Sequence, residues 1–149
     1  MLRRDATTHW EGDLMSGKGS VLLETSRAAE FGISFGSRIS ESGGHTSPEE
    51  LIAAAHSACL AMNMSRVLAT KRLVATSIDV NAAVTLDRAQ GGGIDISRVA
   101  LTLRAVVPAV SAERFHDLAT LAALTCPVSR ALTGTIVTLD ADLEGRYPR

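Results

Sequence analysis

Cysteine is scarce in this chain: there are two thiols, Cys59 and Cys126, among 149 residues. A domain of that size buries roughly 68–70% of its unfolded surface, so it needs neither a disulfide nor a metal to fold. Blocks of like charge are missing as well. The 15 basic and 16 acidic side chains give a net charge of -1 and alternate in sign, which leaves no basic stripe for nucleic acid and no acidic tail. The opening Met1-Leu2-Arg3-Arg4-Asp5 has two arginines with no apolar run behind them, unlike a secretory signal. No stretch reads as long enough to span a bilayer. Phosphate-binding loops are also lacking. Gly91-Gly92-Gly93 leads into a strand pattern rather than a helix, and Ser16-Gly17-Lys18-Gly19 fails as a Walker motif, so no nucleotide cofactor is implied. With no repeat, low-complexity segment or linker, the chain reads as one cytoplasmic domain over residues 1–149. In that compartment two cysteines point to free, metal-bound or catalytic thiols rather than a structural bridge.

What is present is strongly patterned. His9-Trp10-Glu11-Gly12-Asp13-Leu14 and Ser20-Val21-Leu22-Leu23-Glu24 read as strands flanking a hairpin turn at Gly17-Lys18-Gly19. A third strand is expected from about Phe31 to Ile39, passing through Arg38 to a Ser42-Gly43-Gly44 loop. Ser47 then reads as an N-cap, Pro48 as the first helical residue and Glu50 as a capping-box carboxylate. The helix they start continues to about Ala69, is apolar or small nearly all round, and is expected to be a buried central helix. Ile78, Val80, Ala82, Val84 and Leu86 alternate with Asp79, Asn81, Ala83, Thr85 and Asp87, the period of a half-buried strand. The Gly91-Gly92-Gly93 turn leads to a second strand with Val99, Leu101, Leu103 and Ala105 on one face, closed by Pro108. Ser111 caps a helix with Phe115, Leu118, Ala119 and Ala122 on its inner face. A short helix after Cys126-Pro127 stops at Gly134, and Val137, Leu139, Ala141 and Leu143 alternate in a last strand. The order of strands, long helix, hairpin, helix and strand is that of an α+β fold.

A thiol ten residues beyond Glu49 on a long helix, with one distant partner thiol, suggests a two-cysteine redox device. Local physics alone gives the reactive role to Cys126, which precedes a proline at a helix start where the dipole lowers a thiol pKa. On the same grounds Cys59 is a small apolar residue of a buried helix.

At the level of whole motifs the chain resembles the OsmC/Ohr family of thiol-dependent peroxidases, its OsmC branch in particular. The resemblance rests on His9-Trp10-Glu11-Gly12-Asp13 with Gly17-Lys18-Gly19, on Thr46-Ser47-Pro48-Glu49-Glu50-Leu51-Ile52 through Ala58-Cys59, on Thr76-Ser77-Ile78-Asp79, and on Cys126-Pro127-Val128-Ser129. It implies an OsmC-like two-layer fold, a peroxidatic Cys59, a resolving Cys126, and an arginine–glutamate pair that tunes the thiolate. That pair maps onto Arg38 and Glu49, with Arg27 as the alternative arginine. The implied activity is reduction of organic hydroperoxides through a sulfenic acid and a Cys59–Cys126 disulfide. An external dithiol, such as a lipoyl-bearing protein, would then reduce that disulfide. No cofactor or metal is implied. Glu49 and Cys59 lie about 15 Å apart along a straight helix, so one arginine hardly reaches both. Two central helices crossing antiparallel near Ala54 would share the sites across an intertwined homodimer.

Three other readings compete. His56, Cys59 and Cys126 could bind a metal, although they lack a fourth ligand and paired Cys-x-x-Cys spacing. The fold could serve as a non-catalytic stress or ligand-binding domain. A hydrolase using Cys59 with His56 lacks an oxyanion-hole turn. His9, His45 and His116 read as turn or surface residues, and Met62 and Met64 as packing that also lines a peroxide pocket.

Overall fold

Thr7–Glu11 (β1), Lys18–Leu22 (β2) and Glu30–Ser34 (β3) pair antiparallel in that order. The computed structural model describes residues 1–40 and 44–145. The β1–β2 turn is not Gly17-Lys18-Gly19, because Lys18 and Gly19 already belong to β2, where Gly19 faces Trp10. Asp13 builds the turn instead. Its carboxylate accepts the Met15 and Ser16 amides at 2.8 and 2.9 Å, and Gly12 takes a φ of 89° that only glycine adopts freely. Gly19 is there for closeness rather than for turning. A Cβ at that position would sit 2.3 Å from the His9 carbonyl oxygen and 3.0 Å from the Trp10 ring.

The expected strand from Phe31 to Ile39 is divided. It ends at Ser34, and Phe35–Ile39 forms a short helix, α1. The reason is a capping box: the Ser34 hydroxyl accepts the Ser37 amide, and the Ser37 hydroxyl accepts the Ser34 amide. Arg38 therefore projects from the last turn of a helix rather than from a strand. Of the Ser42-Gly43-Gly44 loop, Ser42 and Gly43 lie outside the described residues. Thr46 returns beside β3, bridging Ile33 and donating its amide to the Gly32 carbonyl at 3.0 Å.

Helix α2, Pro48–Thr70, starts as expected, with the Ser47 hydroxyl accepting the Glu50 amide at 3.2 Å. The Glu50 carboxylate does not close a capping box, however. It accepts the Thr46 hydroxyl at 2.6 Å. Nor is α2 buried all round. His56, Leu60, Asn63, Met64, Val67 and Leu68 are buried, whereas Ala54, Ala55, Ala58 and Met62 are exposed along another stripe. One further expectation is corrected: α2, with 23 residues and a mean hydropathy of 1.3 over its most apolar window, is long and apolar enough to cross a bilayer.

The chain divides into two compact units, Met1–Leu51 and Ile52–Arg149. In the second, Ser77–Arg88 (β4) and Ile94–Val106 (β5) form the expected antiparallel hairpin, and Ile136–Leu143 (β6) joins β5 in parallel. Ala112–Thr125 (α3) and Pro127–Ala131 (α4) make the crossover between them. The expected inner faces are the ones buried. Val99, Leu101, Leu103 and Ala105 of β5 meet Phe115, Leu118, Ala119 and Ala122 of α3 and Leu60, Met64, Val67 and Leu68 of α2. Helices thus cover one face of the sheet while the alternate residues of β4 and β6 stay exposed, a two-layer α+β arrangement.

Candidate active site: a thiol pair and an arginine–glutamate pair

Cys59 lies mid-way along α2, and Cys126 is the single residue between α3 and α4. Their sulfurs are 3.1 Å apart and unbonded. Sixty-seven residues of chain separate them, and the structure shows how α2 and the α3–α4 junction are held together on either side of Cys59. One turn after it, Asn63 donates to the Ala122 carbonyl at 2.6 Å and to the Thr125 hydroxyl at 2.9 Å, and accepts Arg66 Nε at 2.9 Å. One turn before it, His56 Nε2 lies 2.8 Å from the Ser129 hydroxyl. Asn63 does not stand out in the sequence as a site residue, and Ser129 closes the Cys126-Pro127-Val128-Ser129 motif with no role of its own assigned there. The available signal is polarity on an apolar face, with Asn63 at the i+4 spacing from Cys59.

The two thiols differ in character. Burial pushes the Cys59 thiol up, and sharing a proton with Cys126 pushes it further. Burial also acts to raise Cys126, but the Ser129 amide, the Cys59 thiol, the Ser129 hydroxyl and the Val128 amide outweigh it, so the Cys126 thiol is lowered. The sulfurs share one hydrogen-bonded proton and titrate as a pair. Access runs the other way: Cys126 is 0% exposed, whereas Cys59 opens onto a groove of about 620 Å³ lined also by Ala55, Ala58, Met62, Asn63, Arg66 and Pro127. A larger cavity of about 990 Å³ beside Val107, Pro108 and Leu143 holds no thiol.

In the first unit, Arg38 donates from Nε and Nη2 to one oxygen of Glu49, at 2.9 and 2.7 Å. Glu49 is 7% exposed, and its second oxygen is buried without a partner among the described residues. Arg27, the alternative arginine, pairs instead with Glu24 at 2.7 Å. Among the described residues no three His, Cys, Asp or Glu side chains are grouped to hold a metal. His56, the third ligand of the competing metal reading, spends Nε2 on Ser129.

The family model described as OsmC-like protein matches residues 41–140. This chain belongs to the OsmC family. It is 38% identical to peroxiredoxin OsmC of Escherichia coli over 96% of this chain and 98% of that protein. It is 34% identical to the organic hydroperoxide resistance protein OhrA of Bacillus subtilis over 64% of this chain and 66% of that one. An organic hydroperoxide resistance protein from Elizabethkingia anophelis superposes with a TM-score of 0.76 at 25% identity, over 97% of this chain and 98% of that one. Bacillus subtilis OhrB shares the fold at a TM-score of 0.73 and 22% identity, over 93% of this chain and 98% of that one. The OsmC/Ohr peroxiredoxin family is therefore the setting in which the thiol pair is to be understood.

Proposed function

We propose that this protein is a cytoplasmic, single-domain cysteine peroxidase that reduces organic hydroperoxides to alcohols. The observation that carries the proposal is the pair of free sulfurs 3.1 Å apart, one of them opening onto an apolar groove, in an OsmC-family chain. Access supports one order of the two thiols in this proposal. Although Cys126 is the more acidic, peroxide reaches only the sulfur that lines the groove, so Cys59 attacks and Cys126 resolves. The Cys59 thiolate takes the outer peroxide oxygen as the O–O bond breaks, and the departing alkoxide is protonated to the alcohol. Cys126 then attacks the sulfenic sulfur; the S–S bond forms, the S–O bond breaks and water leaves. An external dithiol, such as a lipoyl group, reduces the disulfide and is itself oxidised.

Cys59 must be ionised to attack, and its own surroundings oppose this. A guanidinium beside it would reverse the preference and bind the peroxide oxygens. Arg38, oriented by Glu49, fills that role in this proposal, and it comes from a second copy of the chain. Glu49 and Cys59 are about 15 Å apart along α2. An antiparallel crossing at the exposed Ala54–Ala55 stripe brings Glu49 of one copy toward Cys59 of the other.

Intact mass after one equivalent of hydroperoxide tests the cycle. Wild type loses two hydrogens, Cys126→Ser retains a sulfenic acid, and Cys59→Ser does not react; an unchanged wild-type mass refutes it. Mixing inactive Cys59→Ser with impaired Glu49→Gln subunits tests the sharing. Recovered turnover supports a shared site, and additive residual rates refute it.

A further inference from the structure

Helix α1, which carries Arg38, has little apolar anchorage. It is five residues long and has no buried side chain, and so short a helix is not stable by itself. Its position therefore rests largely on hydrogen bonds. The Ser37 hydroxyl makes three, all to backbone. It accepts the Ser34 amide at 3.3 Å, and its single hydrogen faces the Ser34 and Thr46 carbonyls, each at 2.8 Å. Thr46 is fixed in turn, with its amide on the Gly32 carbonyl at 3.0 Å and its hydroxyl on the Glu50 carboxylate at 2.6 Å. Among the described residues, the Ser37–Thr46 bond and the Arg38–Glu49 pair are the hydrogen bonds that join α1 to Thr46 and the first turn of α2. The pair by itself fixes the direction of the guanidinium weakly, because both Arg38 donors meet one oxygen of Glu49. A fork-to-fork pair uses two oxygens and sets the guanidinium plane; a pair on one oxygen can swing about it.

We infer that Ser37 is a positioning residue for Arg38: its hydroxyl, held between the Ser34 and Thr46 carbonyls, ties the helix that carries Arg38 to the chain that carries Glu49 and so fixes where the guanidinium points. This deepens the peroxidase reading and rests on Arg38 being the arginine that faces Cys59 of a second copy. All the bonds of the Ser37 hydroxyl are to backbone, so it acts only through Arg38. Without it, α1 keeps the Ser34 cap on the Ser37 amide and the Arg38–Glu49 contact, but the guanidinium spreads over more directions and spends less time beside the thiol it is to activate.

The test uses the full chain as Cys126→Ser, where Cys59 is the only thiol and thiolate ultraviolet absorbance reports its ionisation. Adding Ser37→Ala raises the midpoint by about half a unit, roughly a threefold loss of thiolate below it. Ser37→Thr, which keeps the hydroxyl, stays at the parent value. Arg38→Ala raises the midpoint further, and Ser37→Ala added to it changes nothing more, because the serine acts through the arginine. A folded Ser37→Ala with an unchanged midpoint, whatever its Tm, overturns the inference. So does a Thr variant that shifts as far as Ala, or a Ser37→Ala shift that persists in Arg38→Ala. Should Ser37→Ala not fold, Ser37→Val, the isostere of Thr without the hydroxyl, takes its place. An Arg38→Ala midpoint equal to the parent overturns the arginine assignment and the role of Ser37 together. Hydroperoxide consumption by wild type is read in parallel, and its absence sinks the peroxidase reading without moving any of these midpoints.

Discussion

Replacing Asn63 by Leu isolates the clamp that holds the α3–α4 junction against α2. Asn63 is 7% exposed and makes three hydrogen bonds: to the Ala122 carbonyl, the Thr125 hydroxyl and Arg66 Nε. Each is worth about 1 kcal/mol net, and a buried acceptor left without a donor costs about 1–3 kcal/mol. Thr125 has an alternative, since its hydroxyl already donates to the Leu121 carbonyl at 2.7 Å, and exposed Arg66 turns to water. The Ala122 carbonyl is the group that suffers. Leucine has a similar volume and recovers part of the loss by apolar burial, leaving a destabilisation of about 2–3 kcal/mol. For a chain of this length that is a fall in Tm of roughly 5–10 °C. Calorimetry of the reduced protein measures it, with urea unfolding as the check on two-state behaviour. The same variant forms the Cys59–Cys126 disulfide more slowly after sulfenic acid formation, because the junction carrying Cys126 keeps only its His56–Ser129 tie to α2. A Leu variant within about 0.5 kcal/mol of wild type, the normal scatter of surface substitutions, would refute the assignment of Asn63 as the clamp.

Glu49→Gln removes the charge that orients Arg38, and a charge-assisted hydrogen bond is worth about 1.5–3 kcal/mol. Hydroperoxide turnover falls about 10- to 100-fold, whereas Arg27→Ala leaves it unchanged; equal effects in steady-state assays would contradict the assignment. His56 is held neutral by burial, with its folded pKa lowered. The unfolded chain therefore binds the extra proton first, and the stability contributed by neutral His56 is complete above about pH 6.5 and declines as pH falls below it. Urea midpoints at pH 7.5 and 5 show the decline, and His56→Gln loses less over the same interval; equal losses would refute the buried-histidine origin. Gly19→Ala puts a Cβ 2.3 Å from the His9 carbonyl oxygen, a clash that backbone must move to relieve. A loss above about 2 kcal/mol follows, in the range of overpacked sites, and a wild-type Tm would show that β1 and β2 yield at little cost.

Legibility in the sequence follows the range of the interaction. Alternation in 78–86, 99–105 and 137–143 and the spacing of Phe115, Leu118, Ala119 and Ala122 locate β4, β5, β6 and the buried face of α3, because these patterns are local. Capping chemistry at Ser34 and Asp13 is just as local, but the strand and glycine patterns around it mask it, so α1 and the true β1–β2 turn emerge only from the structure. Apolar composition all round α2 points to burial on every side, whereas one stripe is exposed in the single chain.

The site divides along the same line. Both cysteines, Arg38, Glu49 and the motif resemblance to the OsmC/Ohr family are properties of the linear sequence, since residue types and their spacing along one helix or turn are set by neighbours in the chain. The choice between Arg38 and Arg27 as the partner of Glu49, the parallel addition of β6 to β5, and the 3.1 Å approach of two sulfurs 67 residues apart belong to the tertiary structure alone. Each depends on which surfaces meet across long separations. His56 with Ser129 and Asn63 with Ala122 make that meeting at the thiols, and no periodicity in the chain encodes it.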